Sequence, residues 1–76
     1  MVEIVEYLAR GLVDEPDAVR VEEVEREGAT VIQLHVAKDD VGKVIGRQGR
    51  IARALRSVVR ASAARSDRRV LLEIIE

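Results

Sequence analysis

Seventy-six residues with 13 basic and 14 acidic side chains, no cysteine, no tryptophan and no phenylalanine exclude disulfides, thiolate metal sites and a platform of stacked aromatic rings. A single domain of this size buries only about 60% of its unfolded surface, so its core must be compact. No apolar run approaches the ~20 residues that span a bilayer, and the acid-studded start Met1-Val2-Glu3-Ile4-Val5-Glu6 is unlike a secretory leader, so a soluble, cytoplasmic protein is expected.

From Val2 to Leu12, Ile4, Val5, Leu8, Ala9 and Leu12 recur at helical spacing with Glu3, Glu6 and Arg10 between them, which predicts an amphipathic helix. Asp14-Glu15-Pro16-Asp17 ends it, because proline lacks an N–H and disfavours α geometry in the residue before it. Val19 to Arg26 and Thr30 to Val36 read as two strands of a β-hairpin turning around Glu27-Gly28-Ala29. In the second strand Ile32, Leu34 and Val36 share a face, and His35 falls on the other. The change of parity between Val21 and Val24 predicts a bulge near Glu22 or Glu23. Asp39 is placed to cap a short helix from about Asp40 to Ile45, which Gly46 ends. A longer helix follows from about Gly49 to Arg65, with Ile51, Leu55, Val58, Val59 and Ser62 on one side and Arg50, Arg53, Arg56 and Arg60 on the other. Ser66-Asp67-Arg68 turns into a last strand, Val70 to Ile75. The order is helix, strand, strand, helix, helix, strand, an α+β arrangement without internal repeats.

The overall charge of −1 conceals a segregation along the chain. Residues 1–37 hold three basic groups against nine acids, whereas residues 38–69 hold ten basic groups against three acids. Segregated basic charge is the electrostatic footprint of a nucleic-acid face. At its centre lies Val44-Ile45-Gly46-Arg47-Gln48-Gly49-Arg50-Ile51, where two glycines bracket two polar residues ahead of the arginine-studded helix. Glycine lets a backbone approach another molecule closely, and a helix N-terminus turns N–H groups and positive dipole toward an anion. A GxxG alone is weak; the apolar residues before it and the basic helix after it make it informative.

Catalytic and metal-binding constellations are poorly supported. Asp39 and Asp40 are explained by capping, Ser57, Ser62 and Ser66 have no partner triad, and His35, the only histidine, has no cysteine or second histidine with which to share a metal. The spacing from Gly42-Lys43 to Gly46 does not make a Walker phosphate loop. Neither an enzyme, a cofactor nor a metal site is expected. Tyr7 on the first helix reads as a packing or edge residue rather than a stacking platform.

With these residues in place, the whole chain resembles a type II KH domain, whose signature is an apolar residue followed by Ile-Gly-x-x-Gly-x-x-Ile. Here Val44 to Ile51 matches it, with Ile51 one position earlier than the pattern has it. Leu12-Val13-Asp14-Glu15-Pro16-Asp17 and Val41 to Ala52 resemble more narrowly the small stand-alone bacterial KH proteins of the KhpA family. The resemblance implies a three-stranded mixed sheet packed against three helices, residues 1–76 forming one KH domain. It implies that the loop clamps about four nucleotides of single-stranded RNA through their backbone. Gly46 and Gly49 would admit the phosphates, Arg47 and Gln48 would contact them, Lys43 and Arg50 would flank them, and Ile45 and Ile51 would be core or groove floor. The apolar edge of the second strand near Leu34 to Val36 would complete the groove. It further implies self-association, pairing with a larger KH protein of the KhpB (Jag) type, and a role as RNA chaperone or post-transcriptional regulator. The exposed apolar positions Leu71 and Ile75 fit some partner. A different class stays open: a protein–protein adaptor that uses the KH fold for dimerisation or assembly.

Overall fold

The computed structural model describes residues 2–64 and 69–76. Within them the chain forms α1 (Val2–Leu12), β1 (Arg20–Arg26), β2 (Ala29–His35), α2 (Val41–Ile45), α3 (Arg50–Ser62) and β3 (Arg69–Ile75), the order expected from the sequence. Three short 3₁₀ turns, Pro16–Ala18, Lys38–Asp40 and Arg47–Gly49, make the corners. The turn expected at Ser66-Asp67-Arg68, and Arg65 at the expected helix end, lie outside the described residues.

β2 is the central strand of the sheet, antiparallel to β1 and parallel to β3. The hairpin closes through Glu27 and Gly28, at φ 49 and 80, the positive values that a two-residue turn needs to match strand twist. Ala29 already pairs with Arg26. The expected bulge is absent, for the pairing runs without interruption from Arg20 opposite His35 to Arg26 opposite Ala29. The parity change has a simpler cause: the two valines serve opposite faces. Val21 packs on the helix-side core, while Val24 lies on the other face opposite Val31, which is in turn beside Leu71.

The core gathers one face of each element. Val5 and Ala9 come from α1, Ile32 and Leu34 from β2, Val44 from α2, Leu55 and Val59 from α3 and Leu72 from β3. Burying such a Val, Ile or Leu side chain contributes roughly 1.5–3 kcal/mol each, and with no cysteine to cross-link the chain this burial carries the fold. On α3 the arginines Arg50, Arg53, Arg56 and Arg60 are all exposed, as expected, but so is Ser62, and the buried small residue is Ala52. The helix ends there, with the N–H of Ala63 shared between the carbonyls of Val59 and Arg60.

Two further expectations are corrected. Leu34 and Val36 do not wall a groove: β2 is paired along both edges, and both side chains are buried beneath the helices. Tyr7 is not a packing residue, being 78% exposed on the outer side of α1. His35 does lie on the sheet face away from the helices, half-buried, with its Nε2 3.9 Å from Glu22 Oε2 and no hydrogen-bond partner among the described residues. On that face Glu73 accepts bonds from Arg26 Nη1 at 3.1 Å and Gln33 Nε2 at 3.2 Å, and Leu71 stands 42% exposed. Ile75, the other expected exposed position, is half-buried.

Candidate nucleic-acid interface

The glycine loop occupies the crossover that carries the chain from β2 to the parallel strand β3. The N–H of Gly46 donates to the Gly42 carbonyl at 2.9 Å, ending α2, and that of Gly49 donates to the Gly46 carbonyl at 3.1 Å, closing a tight turn around Arg47 and Gln48. Gly46 takes φ 78 and ψ 171, a combination essentially confined to glycine, and Gly49 takes φ 73 and ψ 15. The two glycines differ in what surrounds them. A Cβ on Gly46 would stand 2.7 Å from Ile51 Cγ1, whereas one on Gly49 would meet only Arg53 Nη1 at 3.7 Å. Ile51, one position early against the KH signature, therefore presses its side chain against the bare Gly46, while Ala52 takes the buried position.

Arg47 and Gln48 form the exposed tip. Gln48 is a non-glycine residue at φ 59, a left-handed conformation that costs an ordinary residue roughly 1–2 kcal/mol. Its Oε1 accepts a 3.4 Å bond from Arg50 Nη2. Behind the tip the 13-residue α3 directs the positive end of its dipole at the loop, and Arg50, Arg53 and Arg56 line its outer side. Ile45 is 38% exposed, an apolar side chain at the edge of the loop. Ile45, Gly46, Arg47, Gln48, Gly49 and Arg50 thus form one continuous stretch from the end of α2 to the start of α3.

Lys43 is turned to another task. Its Nζ lies 3.0 Å from Asp14 Oδ2 and 3.6 Å from Asp40 Oδ1, so any phosphate would compete with two carboxylates for it. The pattern did not reveal Asp40 as its partner. Asp39 was the expected cap, yet no side chain caps α2; instead the Asp40 carboxylate, 2% exposed, reaches back 26 residues. Its oxygens accept the backbone N–H groups of Asp14 at 3.2 Å and Glu15 at 3.1 Å, stapling the loop after α1 to the start of α2. Nothing local in the sequence separates a carboxylate that caps its own helix from one that secures a distant loop.

Burial pushes the Asp40 pKa upward, but the two N–H donors and the Lys43 ammonium outweigh it, leaving the carboxyl below its ordinary value. Lys43 is raised, first by its hydrogen bond to Asp14 and the attraction of that carboxylate, with Asp40 adding to both. A carboxyl depressed in the folded state stabilises above its unfolded pKa and loses that contribution as pH falls through the folded value. Thermal melts are therefore expected to show a steeper loss of stability below about pH 4 in the native chain than in Asp40→Asn, which should already melt lower at pH 7 because its amide meets two N–H donors. Parallel acid profiles would refute the staple.

Helix, GxxG turn and helix on the crossover of an αββααβ sheet define a type II KH module. A family model described as KhpA/KhpB, KH domain, matches residues 2–74, and the chain belongs to that family. Among its relatives, the RNA-binding protein KhpA of Halalkalibacterium halodurans is 55% identical over 73 residues, covering 96% of each chain. That of Treponema pallidum is 54% identical over 74 residues, covering 97% of this chain and 92% of its own. Among solved structures, Era in complex with MgGDPNP and nucleotides 1506–1542 of 16S ribosomal RNA superposes with a TM-score of 0.52 at 19% identity, covering 97% of this chain and 30% of that one. This last likeness shows the fold. No described helix is long and apolar enough to cross a membrane, and no group of three or more metal-ligating side chains occurs among the described residues.

Proposed function

We propose that the protein binds single-stranded RNA by clamping about four nucleotides along the loop from Ile45 to Arg50, and that it acts in the cytoplasm as an RNA chaperone or post-transcriptional regulator. The observation that carries this reading is the exposed Arg47-Gln48 tip, held between two positive-φ glycines at the head of an arginine-lined helix. Backbone strain of the kind seen at Gln48 persists where the surroundings over-determine it, as at binding sites. The relatives' name and the family match support the RNA, and Era offers a KH-like fold in a protein solved with ribosomal RNA. Lys43 serves mainly as an internal clasp, leaving phosphate contact to Arg47 and Arg50.

One groove makes few contacts against the entropy of ordering a flexible strand, so useful affinity follows from joining two. The partner would be a second copy or a KhpB (Jag)-type KH protein. The uncovered sheet face with Leu71 at its edge favours, as a second reading, an adaptor whose main task is such assembly.

If about four phosphates are neutralised, affinity for a short unpaired strand should fall with salt at a log–log slope of roughly −3. Hairpin RNA should compete poorly, since paired bases do not present free edges. Filter binding across a salt series tests both, and a flat salt response or equal affinity for duplex would count against the clamp.

A further inference from the structure

The two edges of the sheet differ in how they meet solvent. β1 carries charge at five of its seven positions, Arg20, Glu22, Glu23, Glu25 and Arg26, and charge of this kind keeps an edge strand from pairing with another chain. β3, at the opposite edge, is apolar at five of seven and holds no lysine, glycine or proline. Among the described residues no strand lies along its outer side. A strand of this composition at an edge is a template for another strand.

The residues of β3 say which strand fits. The Ile75 carbonyl accepts the Val36 N–H at 3.1 Å, so Ile75 turns its main-chain polar groups toward β2. Alternation gives Arg69, Leu71 and Glu73 the same direction and leaves those of Val70, Leu72 and Ile74 facing outward. The side chains of Arg69, Leu71 and Glu73 stand on the open face of the sheet, in register with Ala29, Val31 and Gln33. A second copy of β3, running antiparallel, meets this edge about a two-fold axis. With the axis at Leu72, Leu71 faces the partner's Glu73; with the axis at Glu73, two carboxylates face each other. With the axis at Leu71, Arg69 faces the partner's Glu73, Leu71 faces its own copy, and the outward groups of Val70 meet those of the partner's Leu72.

We infer that two copies of the chain pair through the outer edge of β3, antiparallel and centred on Leu71, joining two three-stranded sheets into one of six strands. Charge complementarity selects both the occupant, a second copy, and the register, while Leu71, 42% exposed in the single chain, is covered by its counterpart. Arg56 and Arg60 of α3 border the same edge, so pairing brings like charges nearer. Both are exposed, and screening by water and salt keeps that penalty small. The axis stands perpendicular to the sheet, so the helices and glycine loops of both copies lie on one side, where one RNA strand can reach both. This consequence for RNA rests on the clamp reading of the loop; the pairing itself does not.

The chain has no cysteine, so Leu71→Cys places a single thiol at the axis. Residues facing each other at a non-hydrogen-bonded antiparallel position have Cα atoms about 4.5 Å apart, within the ~4.4–6.8 Å that a disulfide spans. Mild oxidation should convert most of Leu71→Cys to covalent dimer and leave Tyr7→Cys, on the outer side of α1, monomeric. In sedimentation equilibrium the native chain should dimerise, and Arg69→Glu and Glu73→Arg should each do so on the order of tenfold more weakly. Their equimolar mixture should recover the native association, because a mixed pair restores both opposite-charge contacts. Leu71→Cys and Arg69→Glu alter only exposed side chains, so they decide the matter even if Glu73→Arg, which gives up its bonds with Arg26 and Gln33, fails to fold. A monomeric native chain, a dimer indifferent to Arg69→Glu, or equal cross-linking at positions 71 and 7 overturns the inference. Anisotropy titration of a short unpaired RNA separates the two readings: cross-linking without RNA binding fails the clamp alone, and RNA binding without cross-linking fails the pairing alone.

Discussion

Changing Arg47 and Gln48 together to aspartate is expected to abolish binding of single-stranded RNA while leaving the fold in place. Both side chains are exposed, so their replacement should shift stability by only about 0.5 kcal/mol. Aspartate is also among the residues that best tolerate the left-handed backbone found at position 48. The substitution turns one positive charge into two negative ones at the tip. A charge about 4 Å from a phosphate is worth about 1 kcal/mol in water, so losing one attraction and gaining two repulsions removes about 3 kcal/mol, more than a hundredfold in affinity. A single weak groove cannot absorb that loss. Melting curves and RNA titrations on the same sample decide the matter: a folded variant with native affinity would displace the loop as the binding site and favour the adaptor reading.

The largest effect on stability is expected from Gly46→Ala. The backbone at φ 78 and ψ 171 costs a residue with a side chain about 1–3 kcal/mol. The new Cβ would also stand 2.7 Å from Ile51 Cγ1 and 3.0 Å from its Cβ and Cδ1, and overpacking of this kind costs about 1–3 kcal/mol more. Small domains have only about 5 kcal/mol or somewhat more in reserve, so most of the stability would go. Gly49→Ala carries the conformational term without the collision, since its nearest neighbour is the end of a flexible arginine at 3.7 Å. Urea melts should therefore rank Gly46→Ala well below Gly49→Ala, and shortening Ile51 to alanine should recover part of the Gly46→Ala deficit. Equal losses at the two glycines would show that Ile51 does not press on the loop.

The periodicity of apolar residues was enough to order the six main elements, because each has one buried face and the spacing records it directly. The glycine loop was legible for a related reason: positive φ leaves a visible choice of residue at Gly46 and Gly49. What stayed hidden were contacts set by the tertiary fold. Val24 looked like a bulge because alternation assumes a single covered face, whereas the row from Val24 through Val31 to Leu71 packs across the open one. Leu34 and Val36 looked available to a ligand because sequence does not say that β2 is central and covered. Asp40 and Lys43 are both charged residues on a basic stretch. Only the approach of Asp14, brought back by the turn after α1, makes one a buried acceptor and the other its counter-ion.

The placement of the loop on the crossover between β2 and β3 bears on when the protein becomes competent during its synthesis. A chain extended only through α3 already contains both glycines, the Arg47-Gln48 tip and the arginine face. It lacks the strand whose Leu72 closes the core against Leu55 and Val59, and whose pairing with β2 spans the entire crossover. Closing so long a segment has an entropic cost that the non-local strand pairing must offset. The glycine loop is thus synthesised before the strand that completes the core beneath it.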